Sequence, residues 1–279
     1  MRPSSASRGV RSIPAAGGFG IVVIVSFATI AVLAPLLAPY SPNTIDLGAA
    51  FSGPSAAHLF GQDGSGRDIL TRLMFGARLS LLGPLLVVSL AVVVGVPLGI
   101  AAGYVGGRLD GLLSRTFDVV FAFPALLLAA VIVATFGPGF TTIVLAVTVI
   151  YVPLMARLVR AGTLVERQKP YIDALKVQGF SGVRICAVHI APNLSTLIIG
   201  QVALYFGYAL LDLAGLSFLG FGVQPPTPDW GSMLWYATQQ VYVAPSGVVP
   251  PAVAIVLSVV AFSLVGDWLS DRANARGIK

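Results

Sequence analysis

Charged side chains are scarce in this chain. Asp, Glu, Lys and Arg make up 10% of its 279 residues, while 56% are hydrophobic. Soluble globular domains carry roughly 25% charged residues, so an ordinary water-soluble domain is excluded. The charges are also clustered, and the long stretches without them point to several membrane spans. Cysteine is nearly absent: Cys186 stands alone. It allows no internal disulfide and no cysteine metal cluster, and it is treated as a small apolar residue. Histidine is limited to His58 and His189, with no HExxH pattern, so a zinc site is not expected. A GxxxxGK[ST] phosphate loop is also missing. "GQDGSGRD" (61–68) copies its glycine spacing but has Arg67 where lysine is required. "GLSFLG" (215–220) fails the GxSxG nucleophile elbow at Leu219. No nucleophile, base or metal set remains for catalysis, and the chain is expected not to be an enzyme.

What the chain does contain is six apolar runs long enough to cross a hydrocarbon core of about 30 Å. They are Gly20–Ala38, Leu79–Ala102, Val119–Phe136, Thr141–Val159, Leu194–Leu219 and Val248–Val265. Arg157 falls near the end of the fourth and is expected to snorkel to the interface. The first run follows Arg2, Arg8 and Arg11, as a secretion signal would. Its apolar core exceeds the about 7–15 residues of such signals, and it is expected to remain as an uncleaved span.

Alternate loops differ sharply in Lys and Arg. The N terminus, Arg108 and Arg115, the cluster from Arg157 to Arg184, and Arg272, Arg276 and Lys279 together hold 14 of the 17. Only Arg67, Arg72 and Arg78 lie on the other side. The cation-rich side faces the cytoplasm, so both termini are predicted to be cytoplasmic. The net charge of +6 then reflects orientation in a lipid bilayer, and no nucleic-acid partner is expected. His58 and His189 fall on opposite sides. The expected layout is a cytoplasmic tail (1–17), a first transmembrane helix (18–39), an extracytoplasmic loop (40–78), a core of five helices (79–267) with a cytoplasmic loop at 160–192, and a cytoplasmic tail (268–279).

Gly95, Gly99, Gly103 and Gly107 recur every four residues, nearly in line on one helix face, where another backbone could approach closely. Pro84, Pro97, Pro124 and Pro153 are expected to bend their spans. Asp212 is a carboxylate within the fifth span, costly to bury unless it faces a pathway or a partner. Two readings stay open for it: a polar group on a translocation route, or a hydrogen-bonded acid that fixes helix contacts.

The stretch "KPYIDALKVQGFSGVRICAVHIAPN" (169–193) is polar and helix-prone between two apolar runs. Pro170 suits a first helical turn. Gly179 suits a left-handed stop, and Ser181 can cap a second short helix. Pro192 is expected to stop or bend that helix at the fifth span. The first helix, lying at the cytoplasmic surface, fits either a groove on another protein or lipid headgroups.

This stretch resembles the EAA motif of binding-protein-dependent ABC importer permeases, E-A-A-x-x-x-G followed by I-x-L-P. Asp173 stands for the Glu, Ala174 for the first Ala, Gly179 for the Gly and Pro192 for the Pro. Leu175 replaces the second Ala, and His189 and Ala191 replace Ile and Leu. "HLFGQDGSGRDILTRLMFGARLSL" (58–81), "AGLSFLGFGVQPPTPDWGSML" (214–234) and "GDWLSDRANAR" (266–276) are similar to signatures of the dipeptide/oligopeptide permease subfamily. The closing segment lacks that subfamily's Asp-Pro.

The resemblance implies an all-α membrane protein, a type I importer bundle of six transmembrane helices with a cytoplasmic coupling helix. It implies the second (C-type) permease of a transporter in a bacterial cytoplasmic membrane. The partners would be a homologous permease, two cytoplasmic ABC ATPase subunits or domains, and an extracytoplasmic solute-binding protein. ATP and magnesium would sit on the ATPases and no cofactor on this subunit. Tyr171, Asp173, Ala174, Gly179 and Pro192 would couple it to the ATPases. Gly66, Arg67 and Asp68, with Gln224 and Trp230 in the Pro-rich "GVQPPTPDWG", are candidates for an extracytoplasmic docking or gating surface, or for a structural cap. Peptide is the expected substrate. A metal chelate or other small solute, and an ATPase-independent transporter, are the alternatives.

Overall fold

The computed structural model describes residues 15–277, and side chains to residue 272. Arg2, Arg8, Arg11 and Lys279, and the side chain of Arg276, lie outside the described residues. Eleven α-helices are described: α1 (Ala15–Leu37), α2 (Ile69–Leu90), α3 (Val96–Val105), α4 (Gly107–Phe121), α5 (Ala125–Phe136), α6 (Phe140–Arg167), α7 (Pro170–Val177), α8 (Gly182–Arg184), α9 (Ala191–Phe218), α10 (Trp230–Thr238) and α11 (Val249–Gly277). An isolated bridge between Gln62 and Asp68 is the only β-type pairing among the described residues.

Five helical stretches are long and apolar enough to span a membrane, and α4 with α5 makes a sixth if that pair counts as one broken span. The core lies where α2, α6 and α9 meet, filled by Val87, Val147, Met155, Leu210 and Leu216. α1 packs on α2 and α11 and exposes Val25, Val32 and Leu36, as a helix facing acyl chains does.

Four sequence expectations are corrected by the helices. The second helical stretch begins at Ile69, ten residues before the apolar run at Leu79, because Asp68 caps it there by accepting from the Thr71 N–H at 2.7 Å. The third is broken. α4 and α5 meet at 85° across residues 122–124, where Pro124 interrupts the backbone ladder. α5 alone, at 12 residues, is about 18 Å long and too short to cross a bilayer. The short helix after Ser181 is no separate element, since residues 182–218 run as one stretch. The last helix continues through most of the expected tail, to Gly277.

Two π-turns explain how prolines are carried inside long helices. Ala91–Gly95 precedes Pro97, and Ile185–Ile190 precedes Pro192, each with one residue between. Proline removes one i→i−4 bond. A wider turn just before it lets the remaining carbonyls find other donors. Pro192 accordingly sits in the first turn of α9 and does not break it.

Candidate functional site

α7 lies at the end of the bundle where α6 ends and α9 begins. Lys169 is extended (φ −72°, ψ 139°), as a residue before proline is, and Pro170 opens the helix. Gly179, at φ +81°, closes it with its N–H on the Lys176 carbonyl at 3.0 Å. Ser181 Oγ then accepts from the Arg184 N–H at 3.4 Å. Ile172 is fully buried against the bundle. Asp173, Ala174, Lys176 and Val177 face outward, and Asp173 pairs with Lys176 at 2.9 Å.

A buried carboxylate holds this helix to the spans. Glu166, on the last turn of α6, is 5% exposed. It accepts from the Tyr171 hydroxyl at 2.7 Å and from Asn193 Nδ2 of α9 at 2.9 Å, and its other oxygen meets Lys169 Nζ at 2.6 Å. Asn193 Nδ2 also donates to the Tyr171 oxygen at 3.0 Å. Burial and the bond to Glu166 push the Tyr171 hydroxyl up to about 12, so it stays a donor. Arg167 reaches across to the Gly103 and Tyr104 carbonyls, at 3.2 and 2.9 Å, satisfying the C-terminal end of α3. α3, α6, α7 and α9 are thus tied at one point.

Above it, α3 lies against α6 along a glycine seam. A Cβ on Gly95 would stand 2.8 Å from the Val152 oxygen, one on Gly99 2.5 Å from the Ala156 oxygen, and one on Gly103 2.7 Å from Thr163 Cβ. Gly107, expected to continue the seam, has left it. Its φ is +57° and nothing lies within 4 Å of its missing Cβ, because the chain turns there into α4. Arg157, near the α7 end, pairs with Asp118 and stacks over Phe121. Deeper in the bundle Asp212 accepts from the Tyr151 hydroxyl at 2.8 Å, joining α9 to α6.

At the opposite end the expected loop residues prove to be fixed structure. Gly66 turns at φ +71°. Arg67 Nε bonds Asp63 at 2.8 Å. Asp68 caps α2 and also accepts from His58 Nδ1 at 2.9 Å. Gln224 donates to the Gly220 and Gly222 carbonyls of its own loop, both at 3.1 Å. Trp230 presents no docking surface: it is 1% exposed, its Nε1–H bonds the Leu73 carbonyl at 3.0 Å, and its ring meets Phe27 edge-on at 5.4 Å. Asp229 caps α10 through Oδ1, while its buried Oδ2 has no hydrogen-bond partner among the described residues. Burial pushes its carboxyl above the ordinary value of 3.8.

Residues 95–278 match the family described as the binding-protein-dependent transport system inner membrane component, and residues 16–54 match the N-terminal TM domain of oligopeptide transport permease C. The dipeptide transport system permease protein DppC of Alkalihalophilus pseudofirmus is 44% identical over 257 residues, covering 92% of this chain and 84% of the relative. The glutathione transport system permease proteins GsiD of Escherichia coli and of Shigella boydii serotype 4 are each 41% identical over 254 residues, covering 91% of this chain and 84% of theirs. The chain belongs to this family of inner membrane transport components. It is a multi-pass ABC importer permease with the all-helical architecture of the family.

Three residues that organise this permease were missed by reading the sequence. Glu166 is its only glutamate, placed among the cations at the α7 end, and that rarity was the available signal. Asn193 gave none. Arg72 was counted as a loop cation, yet it is 4% exposed within α2 and donates to the Pro42 and Pro226 carbonyls, at 2.9 and 3.2 Å. It pins the two end loops to each other.

Proposed function

We propose that this permease imports peptides, with α7 as the point where ATPase motion enters the bundle. The single observation behind the reading is the mounting of α7. One face is anchored by the buried Ile172 side chain and by the Tyr171 bond to the buried Glu166, and the other presents Asp173, Ala174, Lys176 and Val177 outward. A helix so held transmits displacement to α6 and α9 instead of swivelling, because a buried, hydrogen-bonded carboxylate is costly to leave unpaired.

In this reading the α7 end is cytoplasmic and meets two ABC ATPase subunits, which hold ATP and magnesium. A homologous permease completes the pathway in the bacterial inner membrane. An extracytoplasmic binding protein delivers peptide to the opposite end, in keeping with the names of the dipeptide and glutathione relatives. The Tyr151–Asp212 pair serves here as an internal brace between α6 and α9.

The test is reconstitution with both ATPases, the second permease and the binding protein in liposomes. Labelled dipeptide should accumulate only when ATP and the ATPases are present. Uptake without ATPases, or ATP-driven uptake of other solutes but no peptide, would overturn the proposal.

A further inference from the structure

A cavity of about 350 Å³ opens at the end opposite α7, between the 51–69 loop and α10. Its polar lining includes Arg67, Arg72, the Asp63 carboxylate, Tyr236 and Gln240, and its apolar lining includes Phe51, Ile69 and Met233. Volumes of roughly 300–1,000 Å³, mostly apolar with a few converging polar groups, are those of small-ligand sites.

Arg67, Tyr236 and Gln240 are not consumed by the fold. Arg67 spends only its Nε, on Asp63 at 2.8 Å. Its two terminal nitrogens, the Tyr236 hydroxyl and the Gln240 side-chain amide make no hydrogen bond to any described residue. Asp63 cannot compete for them. Its oxygens already take the Ser65 N–H at 2.8 Å, the Arg67 N–H at 3.0 Å and Arg67 Nε, with Arg72 Nε at 3.6 Å. Two guanidinium groups against one carboxylate leave the cluster with net positive charge. A guanidinium whose Nη pair is unspent offers a planar fork to a carboxylate.

We infer that this cavity is a carboxylate site, built for a terminal carboxylate flanked by an apolar side chain. Resting on the reading above, it would receive the C-terminal end of a peptide as the peptide enters the permease. The same fork would take an acidic side chain of the docking binding protein, and the experiment separates these two sources.

The assembled transporter, in nanodiscs without binding protein, is titrated with N-acetyl-leucine and with N-acetyl-leucinamide, followed by ligand-observed NMR. The acid should bind at least about tenfold more tightly than the amide, as loss of one charge-assisted pair implies. Arg67→Gln should reduce the acid to the level of the amide. Arg67→Lys keeps the charge beside Asp63 but not the fork, and should fall between. In a second arm, docking of the ligand-free binding protein is measured on the same variants. A tenfold loss there, with no acid binding to the wild type, assigns the carboxylate to the docking protein. Equal binding of acid and amide together with unchanged docking overturns the site. ATP-driven dipeptide uptake by the same wild-type preparation keeps the readings apart: uptake without either effect rejects the cavity alone, and absent uptake rejects peptide import. Co-purification of Arg67→Gln with the second permease and the ATPases at the wild-type stoichiometry shows that the variant is assembled.

Discussion

Replacing Gly99 by alanine would place a methyl group 2.5 Å from the Ala156 oxygen, 2.8 Å from Val159 Cβ and 3.1 Å from the Arg160 nitrogen. Two of those three neighbours are backbone atoms of α6, which cannot turn aside as a flexible side chain can. To restore ordinary contact the two helices must separate locally by roughly 1 Å, opening the close-packed seam on both sides of position 99. Overpacking of this kind costs about 1–3 kcal/mol. Alanine returns up to about 1 kcal/mol through its better helix propensity. With the full return the net expectation is a loss of roughly 0–2 kcal/mol for Gly99→Ala, and a larger one for Gly99→Leu. Gly111 supplies the control: it is exposed in α4, with nothing within 4 Å of its missing Cβ. Gly111→Ala should gain up to about 1 kcal/mol from propensity alone. Unfolding of the purified chain in mixed micelles, titrated with SDS, reads both. If Gly99→Ala gains as much as Gly111→Ala, the glycine seam is not a close contact between α3 and α6, and the reasoning fails.

Trp230→Ala should destabilise the end opposite α7 by about 3–5 kcal/mol, whereas Trp230→Phe keeps the packing and loses about 1 kcal/mol with the bond to Leu73; the same titration separates the two. Tyr151→Phe and Asp212→Leu should be non-additive in a double-mutant cycle, with a coupling near the about 0.6 kcal/mol average for hydrogen bonds in membranes. Full additivity would mean that the pair contributes nothing. Asp229→Asn keeps the Oδ1 cap of α10 but cannot ionise. Because burial raises the wild-type carboxyl above 3.8, the folded state binds the extra proton, and the wild type loses stability as pH rises from there through the raised value. Asp229→Asn should therefore be the more stable at neutral pH and show no advantage below about pH 4 in thermal melts. An advantage that grows on acidification would contradict this.

The apolar runs located the membrane-spanning helices because hydrophobic length is a strong local signal. They did not locate the helix ends. The Asp68 cap lies outside the apolar run, whereas the 85° break at residues 122–124 falls at Pro124, one of the prolines expected to bend its span. Gly179 was legible because a left-handed stop requires a specific residue. The period of four flagged Gly107 with its neighbours, but spacing carries no information about where the chain turns. Glu166, Asn193 and Arg72 come from separate segments and act only once the fold unites them. For Trp230 a surface role and a structural cap stayed open for a related reason: aromatic character serves both, and only the tertiary contact with Phe27 and Leu73 favours the cap.

The most direct test of the coupling role is the number of peptides moved per ATP hydrolysed in the reconstituted transporter, compared between the wild type and Glu166→Ala. Removing Glu166 leaves Tyr171, Asn193 and Lys169 without their shared acceptor, so α7 should still engage the ATPases but move the spans poorly. Hydrolysis within about twofold of wild type with at least about a tenfold lower yield of transport is the predicted result. An unchanged ratio of transport to hydrolysis would contradict it.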